Sequence, residues 1–314
     1  MNNHQKEKIK SILDSYGVLL VLIVAVLIST AVTDKFLNLR NITDLFRRVS
    51  IIGILAIGQT YVILTQGIDL SIGSILAVSI VVIAGFIGPY GLIPAILIGI
   101  LVSIVLGLVN GIVIAYGKVP AFIATLGMLS FARGLAYLYT GGTPIQIHHQ
   151  IFSTIGNGYF LGIPIPVYIY LALMIIFSFI LKKTPFGRSI YAIGSNQKAA
   201  KIAGIPVNKF LLITYMISGM LAGIGGLLYA SQLGLGTPVA GKLYELDAIA
   251  AVVVGGTALS GGKGHLWGTF VGVLIIGVMT NVFNLTGVDI FVQELVKGLV
   301  IISAVLLRRK AFEN

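Results

Sequence analysis

"LSIGSILAVSIVVIAGFIGPYGLIPAILIGILVSIVLGLVNGIVIAYG", residues 70–117, carries no charged side chain anywhere along its length. A bilayer core about 30 Å thick takes roughly 20 apolar residues per helix, so the run is long enough for two membrane spans. "GPYG" at 88–91 supplies the turn between them. Barrel strands would alternate in polarity every second residue, and this stretch does not, which leaves helices as the spanning element.

Extended outward on the same ruler, the pattern predicts spans near 16–33, 49–66, 70–88, 91–116, 119–140, 163–181, 209–231, 245–260, 265–285 and 289–307. The expected fold is therefore an all-α integral membrane protein, a polytopic bundle of about ten transmembrane helices with broken helices near the pathway. All 314 residues are read as one transmembrane domain. The basic N-terminal decapeptide leads into an apolar run with no small-residue cleavage site after it, which reads as an uncleaved first span.

Composition agrees with a membrane protein. Hydrophobic residues make up 57% and charged residues 10% of the chain, with a mean hydropathy of +1.03, well above that of soluble domains. The chain carries a net charge of +11, and most of its Lys and Arg residues cluster at 6–10, 35–48, 182–209 and 308–310, between or beyond the spans. Such clusters orient a membrane protein, and they lack the aromatic-interleaved basic stripe of a nucleic-acid binder. Cysteine is absent, which excludes disulfides and thiol chemistry.

Ten spans put both termini on one side. Placing them in the cytoplasm also puts the loop 182–208 there, with Lys182, Lys183, Arg188, Lys198 and Lys201, and leaves the loop 141–162, which has no Lys or Arg, outside. Residues 34–48 are then external despite Lys35, Arg40, Arg47 and Arg48, and "NITDLFRRVS" is expected to form a short interfacial helix capped by Asn41 or Thr43.

Several polar residues stand out against this background. "TQGIDLSIGS", 65–74, sets Asp69 between two apolar runs, with Ser71 and Gly73 behind it. Asp69 is expected to accept hydrogen bonds from the N–H groups of Ser71 and Ile72 as an N-cap, or to contact a solute directly; a break at membrane depth must be buried in protein or line a wet cavity. Arg133 lies mid-span in "MLSFARGLAYLY" and needs a cavity or a partner, for which Asp69, Glu245 and Asp247 are candidates, with Tyr137 one turn further on the same face. Glu245 and Asp247 open the eighth span, where carboxylates meet the positive end of the helix dipole. Two carboxylates two residues apart on a helix do not face each other, so paired acid/base hydrolysis is not expected.

Small residues at four-residue spacing, Gly99–Ser103–Gly107–Gly111, Gly219–Gly223 and Gly268–Gly272, predict close helix packing within the bundle. "GIDLSIG" and "YELDAIA" form a faint internal echo, an acidic residue before a helix of small residues. "GGTALSGGKG", 255–264, fails as a phosphate loop: Gly262 stands where the lysine is needed, and Gly264 follows Lys263 instead of Ser or Thr. It is expected to form a broken helix and turn. His148 and His149 have no acidic neighbour that would complete a metal site, and no hydrolase motif is present. "NQKAAKIAG", 196–204, predicts a short helix capped by Asn196, a docking element within the loop 182–208.

Four motifs in order, "GIDLSIGS", "FGRSIYAIGSNQKAAKIAGIPVNK", "ISGMLAGIGGLLYAS" and "YELDAIAAVVVGGTALSGGKG", resemble the permease subunit of ribose-type ABC sugar importers, over about Phe46 to Leu307. The resemblance implies a bacterial inner-membrane subunit that works as a homodimer among membrane lipid. It also implies a cytoplasmic ATPase subunit below, which binds ATP and magnesium, and an extracytoplasmic sugar-binding protein above; this chain itself would hold no cofactor and be no enzyme. It places the ATPase-coupling helix on Asn196, Gln197, Lys198, Ala199, Ala200 and Gly204. The family commonly has an acidic residue near the start of this motif, where Gln197 stands here, followed by Lys198. It further sets Asp69, Ser71, Gly73, Arg133, Glu245 and Asp247 near a translocation pathway for a monosaccharide, with ribose as the first expectation. The alternative from the residues alone is an ion-coupled secondary transporter of a small polar solute, using Asp69 and Arg133.

Overall fold

The computed structural model describes residues 3–312, and these form a helical bundle. In chain order the helices are α1 (Asn3–Val32), α2 (Leu39–Leu64), α3 (Ile72–Tyr90), α4 (Leu92–Ala115), α5 (Ala121–Thr140), α6 (Gln150–Asn157), α7 (Ile165–Lys183), α8 (Pro185–Ser195), α9 (Gln197–Ile202), α10 (Val207–Leu233), α11 (Tyr244–Val254), α12 (Leu266–Leu285) and α13 (Ile290–Phe312). Among the described residues, seven helices are long and apolar enough to cross a membrane: α2, α3, α4, α5, α7, α10 and α12. The chain is an all-α, multi-pass membrane protein.

The element expected over 245–260 is different. α11 has only 11 residues, about 16 Å at 1.5 Å per residue, roughly half a bilayer core. The residues before it enter the bundle without helix. Leu235–Gly236 (β4) pairs antiparallel with Ile145–Gln146 (β1). Gly236 then lies against Ile80 and Ala84, and Gly241 against Gly73 and Leu76, so residues 236–241 run along α3 toward its N-terminus. After α11, residues 255–264 make turns and no helix, which corrects the broken-helix half of that expectation. A second hairpin pairs Tyr159–Phe160 (β2) with Ile163–Pro164 (β3).

α2 and α3 are the buried centre. From Ile51 to Leu64 every residue of α2 is buried. Around them, α4 shows outward-facing apolar side chains at four-residue spacing, Ile93, Leu97, Leu101, Val105 and Val109. In a bilayer such a stripe faces lipid, which removes the penalty it would carry in water. The small-residue stripes do pack internally: a Cβ at Gly107 would meet the Tyr215 carbonyl and Gly219, and one at Gly223 would meet Ser103, so α4 and α10 touch backbone to backbone. Gly255 and Gly272 do the same between α11 and α12.

"NITDLFRRVS" does not form a separate helix. It is the first part of α2, whose N-cap is Asn38, Oδ1 accepting from the Arg40 N–H at 2.9 Å, in place of Asn41 or Thr43. Asn41 instead exchanges amide hydrogen bonds with Asn281 of α12, at 3.0 and 2.8 Å. Arg47 donates to Asp44 at 3.2 Å and to the Asn157 carbonyl at 2.9 Å, and stacks 4.6 Å above the Tyr159 ring. These bonds set 34–48 and the 141–162 segment on one face of the bundle. On the opposite face Gln66 Nε2 donates to the Gly194 carbonyl at 2.8 Å, the Gly262 N–H to the Leu64 carbonyl at 3.0 Å, and the Tyr191 hydroxyl to the Gly264 carbonyl at 2.7 Å. Burial pushes the Tyr191 phenol up, which keeps it a donor.

Candidate translocation site

α2 ends at Leu64, and residues 65–71 turn back into the bundle before α3 begins. The Gln59 side chain fixes the depth of the return: its amide donates to the Asp69 carbonyl at 3.2 Å and accepts from the Asp69 N–H at 3.3 Å. Gln59 lies five residues before the end of α2, so Asp69 sits more than a helical turn inside that end. Asp69 is fully buried.

Its carboxylate is held by donors from two helices. Oδ1 accepts from the Ser71 N–H at 2.9 Å and the Ser71 hydroxyl at 2.6 Å; Oδ2 accepts from the Ser218 hydroxyl of α10 at 2.7 Å. Asn110 of α4 donates to Ser71 Oγ at 2.9 Å, which extends the network to a third helix. Asp69 does not bind the Ile72 N–H, and the N-cap position of α3 belongs to Ser71. The expected cap is therefore a three-donor clamp, because the segment approaches α10 at Ser218 before the helix starts.

Two residues on, Gly73 makes room for the other re-entrant segment. A Cβ there would overlap the Gly241 carbonyl and Glu245 Oε2. The two echoing motifs are thus in contact, with Glu245 against the first turn of α3. Glu245 Oε2 is buried and has no hydrogen-bond partner among the described residues.

Arg133 has none of its three expected carboxylate partners in an ion pair. Its Nη1 donates to the carbonyls of Pro238, at 2.6 Å, and Ala240, at 2.7 Å. The physical reason is the non-helical path of 236–241: carbonyls released from helix at membrane depth need a donor, and a guanidinium supplies several. Glu245 and Tyr137 lie near enough to interact with its charge. Asp247, on the next part of α11, pairs with Lys297 of α13, Nζ lying 2.8 Å from Oδ1 and 3.0 Å from Oδ2.

Asp69, Ser71, Gly73 and Glu245 therefore form one contiguous centre, Arg133 braces the non-helical segment leading to it, and Asp247 faces a separate cavity. The sequence reading missed Gln59, Asn110, Ser218 and Lys297. Asn110 is the lone amide in the charge-free run and Lys297 the lone cation of the last span's apolar middle, which is the signal that could have found them.

The motif 196–204 forms α9, capped as expected by Asn196, whose Oδ1 accepts from the Ala199 N–H at 3.0 Å. Ala200 turns inward onto Ala115, Ile193, Val207 and Leu211. Gly204 closes the helix at φ +82°, a conformation that favours glycine. Gln197, Lys198 and Ala199 are exposed, and Ile202 is 89% exposed, an isolated apolar knob on the face of the molecule. Between α9, α10 and the α4–α5 turn lies a cavity of about 480 Å³, lined by Gln66, Gly67, Lys118, Lys198, Lys201 and Tyr215 among others, which opens beneath the Asp69 segment.

Comparison with known proteins agrees with this architecture. Residues 41–305 match the family described as branched-chain amino acid transport system / permease component. The chain is 48% identical to the ribose import permease protein of Bacillus subtilis, over 95% of this chain and 94% of that one. It is 42% identical to the ribose import permease protein of Haemophilus influenzae, over 91% and 90%, and 36% identical to the L-arabinose transport system permease protein of Escherichia coli, over 94% and 90%. No solved structure matches the chain.

Proposed function

The chain belongs to the branched-chain amino acid transport system permease component family, and we propose on that premise that it is the membrane permease of an ATP-driven importer of ribose. The observation that carries this reading is the 48% identity to a ribose import permease over 95% of the chain. The chain is a transport subunit of the bacterial inner membrane. A binding protein outside delivers the sugar, and an ATPase subunit inside binds ATP and magnesium and supplies the work.

We read the whole chain as one transmembrane unit of ten passes: the seven long helices, α1, α13, and the non-helical segment 234–243 joined to the half-length α11. Both termini, α8, α9 and the lysine-lined cavity are cytoplasmic in this reading, and segments 34–48 and 141–162 are outside. Two copies pair around the pathway, which runs beside Asp69, Ser71, Gly73, Arg133, Glu245 and Asp247.

α9 is the ATPase-coupling element. Ala200 fixes it to the permease, and Ile202, Gln197 and Lys198 are the groups presented outward. The route inward is short: Gly194 at the end of α8 holds Gln66, and Gln66 is three residues from Asp69. A displacement of α8 and α9 therefore reaches the Asp69 segment through one side-chain hydrogen bond and the backbone. Its clamp of Ser71 and Ser218 is the element with two arrangements, engaged or released.

The test is a mild-detergent pull-down of tagged chain from its native membrane, with an ATPase assay on the eluate. Recovery of an ATPase that is lost in Ile202→Asp supports the importer and its docking helix. Folded protein that brings down no ATPase would overturn the reading.

A further inference from the structure

On the face opposite α9, a second cavity of about 490 Å³ lies between α2, α11, α12 and α13. Its volume is within the range of about 300–1,000 Å³ that holds small molecules. Buried Asp247 and its partly buried partner Lys297 form one wall. Thr280 adds a buried hydroxyl that has no hydrogen-bond partner among the described residues. Gln293, 7% exposed, spends its Nε2 on Asn284 Oδ1 at 3.2 Å and the Val288 carbonyl at 3.0 Å.

The unused valences are mixed. Lys297 has three N–H donors; it donates to Asp247 Oδ2 and lies 2.8 Å from Oδ1. Among the described residues, a further Lys297 N–H and the Asn284 amide N–H are left as donors, lone pairs of Asp247 and the Gln293 carbonyl oxygen as acceptors, and the Thr280 hydroxyl as either. Charge does not select an ion: Arg48, Lys242 and Lys297 line the cavity with Asp247 and Glu294, so an anion and a cation each meet like charge. A neutral molecule that carries several hydroxyls, each a donor and an acceptor, meets all of these groups.

We propose that this cavity is a sugar-binding site of the permease itself, a low-affinity station for the free neutral pentose on the side where the binding protein delivers it. The proposal rests on the ribose reading above and adds to it that the permease reads hydroxyls directly. Leaving Thr280 and Gln293 unmatched penalises a deoxy or apolar analogue, because a buried polar group without a partner loses the hydrogen bond that water gave it.

The experiment is equilibrium binding of tritiated D-ribose to the full chain in lipid nanodiscs, with binding protein absent. Thr280→Val is nearly isosteric and lies outside the ion pair; with Gln293→Ala it is expected to weaken binding about tenfold, the effect of one to two lost hydrogen bonds. Ribitol is expected to compete and inorganic phosphate not to. Both variants are checked for wild-type thermal transitions. Absence of saturable ribose binding, binding unchanged in the folded variants, or competition by phosphate would overturn the proposal. Ribose uptake by the complete importer is measured alongside: normal uptake with no nanodisc binding refutes the site and leaves the import function standing, whereas failed uptake by the assembled complex refutes the function.

Discussion

Ser218 Oγ stands 2.7 Å from Asp69 Oδ2, so a helix 149 residues further along the chain holds one end of a fully buried carboxylate. The other end is held by Ser71, in the same short segment as the acid. This clamp joins the α2–α3 return to α10 without a cation, and its integrity should govern both fold and transport.

Replacing Ser218 with Ala leaves Oδ2 without its donor in a site that excludes water. The expected loss is about 1–3 kcal/mol of stability, the penalty of a buried polar atom left unpaired, with charge placing it toward the upper end. Asp69→Asn should be milder, since its amide oxygen still accepts from Ser71 and its N–H₂ can donate to Ser218 Oγ. Thermal denaturation in detergent ranks the two; Ser218→Ala as stable as wild type would show that the clamp is not holding the segment. Asp69→Asn is also expected to keep partial transport, and full wild-type transport would remove the carboxylate from the mechanism.

Gly73 should not tolerate a side chain. Any Cβ overlaps both the Gly241 carbonyl, a backbone atom that cannot rotate away, and Glu245 Oε2, and Gly73→Val adds bulk to the same clash. Overpacking of this kind costs about 1–3 kcal/mol. Transport is expected to fall sharply in Gly73→Val. Trimming Glu245→Ala in the same chain should rescue it only in part, because the carbonyl overlap remains. Complete rescue would mean that the backbone contact is absent.

Arg133 holds the non-helical segment 236–241 by its carbonyls and forms no ion pair with a carboxylate among the described residues. Arg133→Met strips donors from the carbonyls of Pro238 and Ala240, at about 1–3 kcal/mol for each unsatisfied group. The expected sign is faster labelling of cysteines introduced at 238–240 by a membrane-impermeant reagent, with Arg133→Lys intermediate. Unchanged labelling would point to another support for the strand.

How much of this was legible in the sequence follows from where the signal resides. The long spans were legible because residues 70–117 hold no charge and the turn residues at 88–91 punctuate them. Asp69 announced itself as a carboxylate among apolar residues, and α9 by a capping asparagine and a closing glycine. Ser218 did not, because a serine in an apolar helix carries no mark of what it faces. The partners of Arg133 were illegible for a stronger reason: they are backbone carbonyls, which every residue has. The half-length α11 was read as a full span because residues 248–260 carry no charge, whereas the helix stops at Val254 and the glycines after it make turns.

The pair of Asp247 and Lys297 gives a double-mutant test. Either single neutralisation, Asp247→Asn or Lys297→Met, leaves one partner without its counter-charge, and because Lys297 is only partly buried the expected loss is about 1–3 kcal/mol. The double variant should recover much of that loss. Equal instability of single and double variants would show that the pair is not what holds α13 to α11.

The central claim is tested most directly by uptake. Cells that lack their own ribose permease, supplied with this chain and its cognate ATPase and binding protein, are given radiolabelled ribose. The account predicts that uptake is restored, that it ceases when the ATPase is inactivated, and that it is lost in Ile202→Asp with the permease still folded in the membrane. Absence of ribose uptake from the assembled complex, or uptake that persists without a working ATPase, would contradict it.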